Sequence, residues 1–296
     1  MRYNNLSEYL RRRYGGRLGK ICIDGGFTCP NRDGRCGRGG CIFCGERGSG
    51  EHILPGAISE QVRAVVTRDY KQDKFIAYFQ NFTNTYASVD VLRQRYDEAV
   101  ADERVKLLAV GTRPDCISEP IAALLSEYKS RCDVWVELGL QTESDETAKV
   151  INRGYESRVF LEAVEILKRY DIPFVVHLMY GLPGESFEDF KKSLDFVNKT
   201  SPFGIKIHSL YVMSGTKMEE MYRENLYTPP TQDEYAEAVV YAITHTPKSV
   251  IFHRLTGDSP RELLVAPKWN ADKNGTIDRI NYLLESRDLT QGCELD

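Results

Sequence analysis

Four of the chain's eight cysteines, Cys29, Cys36, Cys41 and Cys44, fall within sixteen consecutive positions of the stretch GGFTCPNRDGRCGRGGCIFC at 25–44. Thiols crowded into one glycine- and arginine-rich loop, with the other four dispersed, point to a metal centre rather than to a disulfide framework. Two residues separate Cys41 from Cys44, so one turn of chain brings both thiolates to a single inorganic centre. Structural zinc is usually held by two such knuckles. Here Cys29 and Cys36 enclose six residues and make a poor second one. Iron–sulfur clusters are also held by thiolates. If Cys29, Cys41 and Cys44 each take one iron of a [4Fe–4S] cube, the fourth iron is open to an outside ligand, and an open iron implies chemistry. Zinc stays as the alternative.

Such a loop needs a scaffold. Apolar runs predict strands at 20–23, 75–80, 105–110, 134–140, 174–179 and 205–210. Helical spacing predicts helices at 57–70, 89–100, 121–128, 159–169 and 187–198, the first with Ile58, Val62, Val65 and Val66 on one face. Six strand–helix repeats with apolar strands predict an α/β fold, a parallel sheet curled into a partial (β/α)6 TIM-like barrel. After about residue 230 the rhythm changes to a helix at 234–243, an apolar run at 250–255 and a polar stretch containing Pro260 and Pro267. The expected division is a barrel over 1–230, with the metal loop at 24–52, and a small C-terminal α/β extension over 231–296.

In parallel barrels reactive groups sit where strands end on their C-terminal side, and there the sequence turns polar. The second strand leads into Gln80, Asn81 and Thr83, and the third into Thr112, Arg113 and Asp115. Arg113 and Asp115 either meet a charged ligand or pair with one another. Glu137 stands inside the apolar fourth strand. Its carboxylate requires a cation or a hydroxyl-bearing ligand, so it is either half of an internal ion pair or a ligand contact. On the fifth strand His177 and Met179 alternate and share a face. A lone strand histidine is usually a satisfied core residue. His208 at the corresponding place on the sixth strand, followed by Tyr211, weakens that default and marks both histidines and Tyr211 as catalytic candidates.

The net charge of −4 hides an asymmetry: residues 1–50 carry ten Lys/Arg against four Asp/Glu. That basic end would attract a polyanion, or else belongs to a solvated amphipathic helix beginning near Ser7. The opening MRYNNLSEYLRRRYGG has no apolar run suited to a signal peptide, and nowhere do eighteen apolar residues occur together. A cytoplasmic protein with no membrane contact is expected. Cys22, Cys132 and Cys293 are too dispersed for a second metal site, and Cys116 reads as a small buried side chain.

The ending Cys41-Ile42-Phe43-Cys44, preceded by a third cysteine on a loop after the first strand, resembles the radical S-adenosylmethionine (SAM) superfamily. The words GGFTCPNRDG, GRGGCIFC and GSGEH resemble its YhcC/YtqA-type family, related to the Elongator catalytic subunit. The resemblance implies a barrel of the radical SAM type, a [4Fe–4S] cluster on Cys29, Cys41 and Cys44 with Cys36 spare, and SAM as cofactor. It implies reductive cleavage of SAM to a 5′-deoxyadenosyl radical that takes hydrogen from substrate, with a reducing donor such as flavodoxin or ferredoxin. Phe43 would belong to the cofactor site. Gln80, Asn81 and Thr83 stand where relatives bind the methionyl amine, and Thr112, Arg113 and Asp115 match a TRPD segment near the methionyl group. Glu137 would meet the ribose, Gln141 and Arg153 would grip the carboxylate, and the strand of His177 and Met179 with its GLPGE turn would contact adenine. The segments 253–258 and 266–270 with Lys273 resemble the family's C-terminal signature. Elongator-type relatives and YtqA-like members imply tRNA as substrate: maturation of a wobble uridine from carboxymethylaminomethyl to aminomethyl, with Lys268, Trp269 and Lys273 as candidate RNA contacts, Trp269 otherwise packing the extension against the barrel. A small-molecule or peptide substrate, and a non-enzymatic zinc-stabilised RNA-binding module, are the alternatives.

Overall fold

The computed structural model describes residues 2–48, 50–51, 53–68 and 72–295. Tyr70, at the end of the first expected helix, and Ser49 and His52 of the GSGEH word lie outside the described residues. Among those described, the strands β1 (Gly19–Ile23), β2 (Phe75–Phe79), β3 (Val105–Thr112), β4 (Asp133–Gln141), β5 (Phe174–Tyr180) and β6 (Gly204–Ser209) pair in sequence order, each parallel to the next. Beyond the short β7 (Val212–Met213), β8 (Ile251–Arg254) adds a seventh parallel strand beside β6. The sheet is a curled half-barrel.

Alternation along the strands decides what faces where. Ile21, Ile23, Phe75, Ala77, Phe79, Leu108, Val110, Val134, Val136 and Leu138 belong to the outer core, under the helices. These are α2 (Ile58–Arg68), α3 (Val89–Ala99), α4 (Glu119–Glu127), α5 (Asp145–Val150), α6 (Ser157–Arg169) and α7 (Phe187–Asn198), which follow the strands in turn. The intervening positions turn inward, and their character changes with height. Low in the barrel Ile76, Leu107, Ala109, Trp135 and Val175 form an apolar floor. One strand repeat higher, β2, β4 and β5 turn the polar groups of Tyr78, Glu137 and His177 inward, with Lys206 of β6 beside them. Successive residues on one face lie two positions apart, so this layering is written directly into the sequence.

The floor is closed from below by α1 (Leu6–Tyr14), which packs Leu6, Tyr9 and Leu10 onto it. Asn5 caps the helix through the Glu8 amide, and Gly15 ends it at φ 74°, a left-handed conformation natural to glycine. Arg13 clamps Asp133 at the foot of β4 with two contacts of 3.0 Å, and Arg12 donates to Asn4 at 2.9 Å. The N-terminal helix is thus amphipathic and docked, with part of its basic charge already partnered inside the chain.

The 250–255 run, which the pattern assigns to the extension, joins the main sheet as β8. After α8 (Lys217–Arg223), α9 (Gln232–Thr244) explains why. Tyr235, Ala236, Ala238, Val239, Val240, Ala242 and Ile243 are all buried, so the helix is enclosed on several sides. The Tyr235 hydroxyl lies 3.1 Å from the carbonyls of both Ile207 and Leu255, tying the helix to β6 and to the end of β8. β9 (Leu264–Ala266) pairs antiparallel with β7, and α10 (Lys273–Ser286) follows.

Candidate active site

The cysteine loop runs across the C-terminal end of the barrel and is held there by its own polar groups. The Arg32 amide bonds the Cys29 carbonyl at 2.8 Å, and the Cys44 amide bonds the Cys41 carbonyl at 2.9 Å, the tight turn that the two-residue spacing predicts. Gly39 and Gly40 adopt φ of 81° and 80° immediately before Cys41, where a side chain would be strained. Asn152, between α5 and α6, donates to the Gly40 carbonyl at 2.7 Å, and the Ile42 amide bonds Ile151 at 3.1 Å. Buried Asn31 lies with its amide 3.8 Å from the Cys41 sulfur.

Cys29, Cys41 and Cys44 line one cavity of about 210 Å³, together with Phe43, Gln80, Thr83, Thr112, Arg113, Glu137, Gln141, Arg153, His177 and His208. Among the described residues no three or more His, Cys, Asp or Glu gather as they would around one metal ion. Burial, with Cys44 adding to it, pushes the Cys41 thiol up to about 12. Burial also raises Cys44, although Arg32 pulls it down. Thiolates at such depth need cations bonded to them, which iron supplies. The Thr83 hydroxyl and the Asn81 carboxamide oxygen are buried without partners among the described residues. The donor set and these orphaned atoms fit a cluster with a polar cofactor beside it.

Below the thiols lies a polar layer centred on Glu137. Its carboxylate accepts from Tyr78 at 2.7 Å, from His177 Nε2 at 3.0 Å, from Trp135 at 3.2 Å and from the Lys206 ammonium. Burial would lift the Glu137 carboxyl, yet Lys206 and His177 hold it well below its ordinary value. Burial draws Lys206 down to about 8 against the pull of Glu137. Because a carboxylate only accepts, His177 is the Nε2–H tautomer. Burial lowers His177 and drives His208 well below the usual imidazole range, so both are neutral near pH 7. Their rings stand 5.3 Å apart.

His253, on β8, packs edge-on to Trp135 at 5.0 Å with both ring nitrogens unpartnered among the described residues, and burial pushes it down to about 3 from 6.5. Between those values the unfolded chain binds a proton that the fold refuses. Stability is therefore full above pH about 6.5 and falls as pH drops through the window, by several kcal/mol in all. His253→Leu is expected to flatten this limb of a melting-temperature profile between roughly pH 6.5 and 4. An unchanged slope would contradict the assignment.

Several expected ligand contacts are engaged elsewhere. Arg113 makes a two-point pair with Asp115, at 2.9 and 2.7 Å, and donates to the Arg153 carbonyl at 2.8 Å. Mutual pairing was one of the two arrangements open to these residues. Arg153, wholly buried, bonds the carbonyls of Leu140, Thr142 and Tyr155 at 2.6 to 3.1 Å. Thr85 gives its proton to the Cys116 carbonyl, so the Thr112 hydroxyl donates to Thr85 at 2.6 Å. Asp115 faces a separate surface pocket with Cys36 and Cys116. Gln141 sits at φ 66°, and a Cβ on Gly139 would come within 2.8 Å of its amide nitrogen. Met179 and Tyr211 line a second cavity of about 190 Å³, which shares Phe43, Cys44, Gln80, Gln141, His177 and His208 with the first. Trp269 donates to the Pro230 carbonyl at 3.0 Å and packs tilted against Tyr235 with ring centroids 5.5 Å apart, drawing the C-terminal segment inward. Lys273 is paired with Asp258.

Sequence reasoning passed over Asn31, Lys206 and Arg254 as site residues. Lys206 alternates with His208 on one strand, which places both on the inward face. Arg254 follows His253 at the end of an apolar run. Asn31 carried no signal beyond its place two residues after Cys29. Among the described residues no helix is long and apolar enough to cross a membrane.

The family described as the Radical SAM superfamily matches residues 32–197, and the Radical SAM C-terminal domain matches 202–286. The uncharacterised protein YtqA of Bacillus subtilis (strain 168) is 37% identical over 296 aligned positions, an alignment that covers 98% of this chain and 92% of its own. A tRNA uridine(34) acetyltransferase of Methanocaldococcus infernus is 31% identical over 198 residues, 66% of this chain and 36% of that protein. The solved structure of the archaeal Methanocaldococcus infernus Elp3, lacking its N-terminus, shares the fold with a TM-score of 0.72 at 22% identity, over 93% of this chain and 64% of that one. With one family match spanning more than half its length and a near full-length relative, the chain belongs to the radical SAM superfamily, in its YhcC/YtqA-type family, and membership implies SAM and a [4Fe–4S] cluster as cofactors.

Proposed function

We propose that this chain is a tRNA-modifying radical SAM enzyme that converts the carboxymethylaminomethyl side chain of a wobble uridine to aminomethyl. The observation that carries the reading is that three thiols of one loop and the polar strand ends line a single cavity. A partial likeness to a tRNA uridine(34) acetyltransferase supports the substrate class. Cys29, Cys41 and Cys44 would hold the cluster, and Cys36 would stay spare. When bound, cluster and SAM supply a 5′-deoxyadenosyl radical that takes hydrogen from substrate, with flavodoxin or ferredoxin as electron donor.

The chain's own residues would bind, orient and exclude water. Asn81 and Thr83, with unmet acceptors, suit the methionyl ammonium, with Gln80 beside them. Phe43, Met179 and Gln141 would wall the cofactor. Arg113, Asp115, Arg153 and Thr112 would act by fixing the loop and strand ends, since their polar groups are held within the protein. Glu137 would hold His177 in place beneath the nucleoside. His177, His208 and Tyr211 would face substrate, each neutral, because burial lowers the imidazoles and raises the phenol.

Mass analysis of tRNA nucleosides from a deletion strain tests the reading. Carboxymethylaminomethyluridine is expected to accumulate as the aminomethyl nucleoside disappears, and an unchanged profile would count against it. The small-molecule alternative draws on the ion pairs of Arg13 with Asp133 and of Lys273 with Asp258, which neutralise part of the basic charge expected to meet RNA. Cleavage of SAM that responds to a metabolite and ignores tRNA would favour it.

A further inference from the structure

We propose that Arg254 anchors the carboxylate of the substrate's side chain, an inference that rests on the wobble-uridine reading. Arg254 ends β8 at the junction of the two cavities and lines both, alongside Cys44, His177 and His208. The other arginines lining these cavities are committed to the protein. Arg32 bonds the carbonyls of Cys44, Gly45 and Glu46. Arg113 is closed by Asp115, and Arg153 by backbone carbonyls. Arg254 makes one contact, from Nη2 to Asp258 at 3.1 Å, and among the described residues its Nε and Nη1 meet no acceptor. A half-buried guanidinium with donors open towards a cavity is matched by a planar oxyanion, which it can take at two points.

The charge around it favours a particular side chain. Asp258 is already balanced by Lys273 as well as by Arg254. Glu51 lines the same cavity as Arg254, with no partner among the described residues. One wall therefore offers a cation and another an anion. A carboxymethylaminomethyl group carries a carboxylate and, two bonds away, a secondary ammonium, so it matches both. The aminomethyl product keeps the ammonium and lacks the carboxylate. An anchor at Arg254 thus holds substrate and releases product.

The probe is the free nucleoside 5-carboxymethylaminomethyluridine, compared with its primary amide, bound to the reconstituted full chain with SAM and followed by nuclear magnetic resonance titration. The wild type is expected to bind the acid about ten-fold more tightly than the amide, and Arg254→Gln to bring the ratio to within about two-fold by weakening the acid alone. Arg254→Lys, which keeps the charge but not the fork, should restore part of the preference. Equal binding of acid and amide by the wild type, binding of neither, or a preference that survives Arg254→Gln overturns the proposal. SAM affinity separates the other carboxylate at the site: a variant that loses SAM while keeping the acid preference assigns Arg254 to the cofactor and also overturns it. Discrimination without turnover of tRNA leaves the anchor standing and removes the wobble-uridine reading. Turnover without discrimination does the reverse.

Discussion

Cys44→Ala is expected to leave a folded but colourless protein that takes up little iron and forms no detectable 5′-deoxyadenosine, a loss of at least about a thousand-fold in SAM cleavage. Its thiol is one of three lining the cavity, and two sulfurs cannot take the place of three around a cube with one open corner. Cys36→Ala is the informative companion. Cys36 is exposed, and it faces a separate pocket with Asp115 and Cys116. Iron content and cleavage should stay close to wild type in that variant. Equal loss in the two variants would make Cys36 a further ligand of the cluster and contradict the three-thiolate assignment. Iron analysis, visible absorbance and product chromatography on the two proteins decide between these outcomes.

Glu137→Ala is expected to carry the largest structural cost. It would leave the Lys206 ammonium buried without a counter-charge and take an acceptor from Tyr78, His177 and Trp135 together. Breaking a buried ion pair from one side costs about 3–5 kcal/mol, which for a chain of this size lowers the melting temperature by roughly 10 °C. Removing both charges is a different experiment. In Glu137→Ala with Lys206→Met the stranded cation is gone, and the double variant should recover a good part of the loss. Thermal denaturation of the single and double variants checks this. A double variant no more stable than Glu137→Ala would mean that the hydrogen bonds from Tyr78, His177 and Trp135, and not the charge pair, set the cost.

The distance over which partners act explains which features were legible in the sequence. The cysteine turn was legible because the Cys41–Cys44 spacing is a local property of one turn, and Cys29 lies on the same loop. The barrel was legible because alternation along each strand is local too. Glu137 shows the limit: a buried acid announces that it needs a partner, but Lys206 lies sixty-nine positions away, on a strand that meets the same layer only once the sheet curls. Arg113 and Asp115 left two arrangements open, and their mutual pair depends on how the third strand turns against the cysteine loop. The 250–255 run was assigned to the extension; its place beside β6 depends on α9, which connects the two strands and packs against both. Trp269 left open either a base contact or packing of the extension against the barrel. Its indole is held by a carbonyl thirty-nine positions earlier.

If the cavity beneath the cysteine loop is a radical SAM site, the loaded chain must cleave SAM there. The direct test is anaerobic reconstitution of the full chain with iron and sulfide, followed by addition of SAM and dithionite and measurement of 5′-deoxyadenosine. The account predicts its formation in step with the iron bound, and its disappearance in Cys44→Ala. Protein that carries a full complement of cluster iron, binds SAM and still yields no 5′-deoxyadenosine would contradict it.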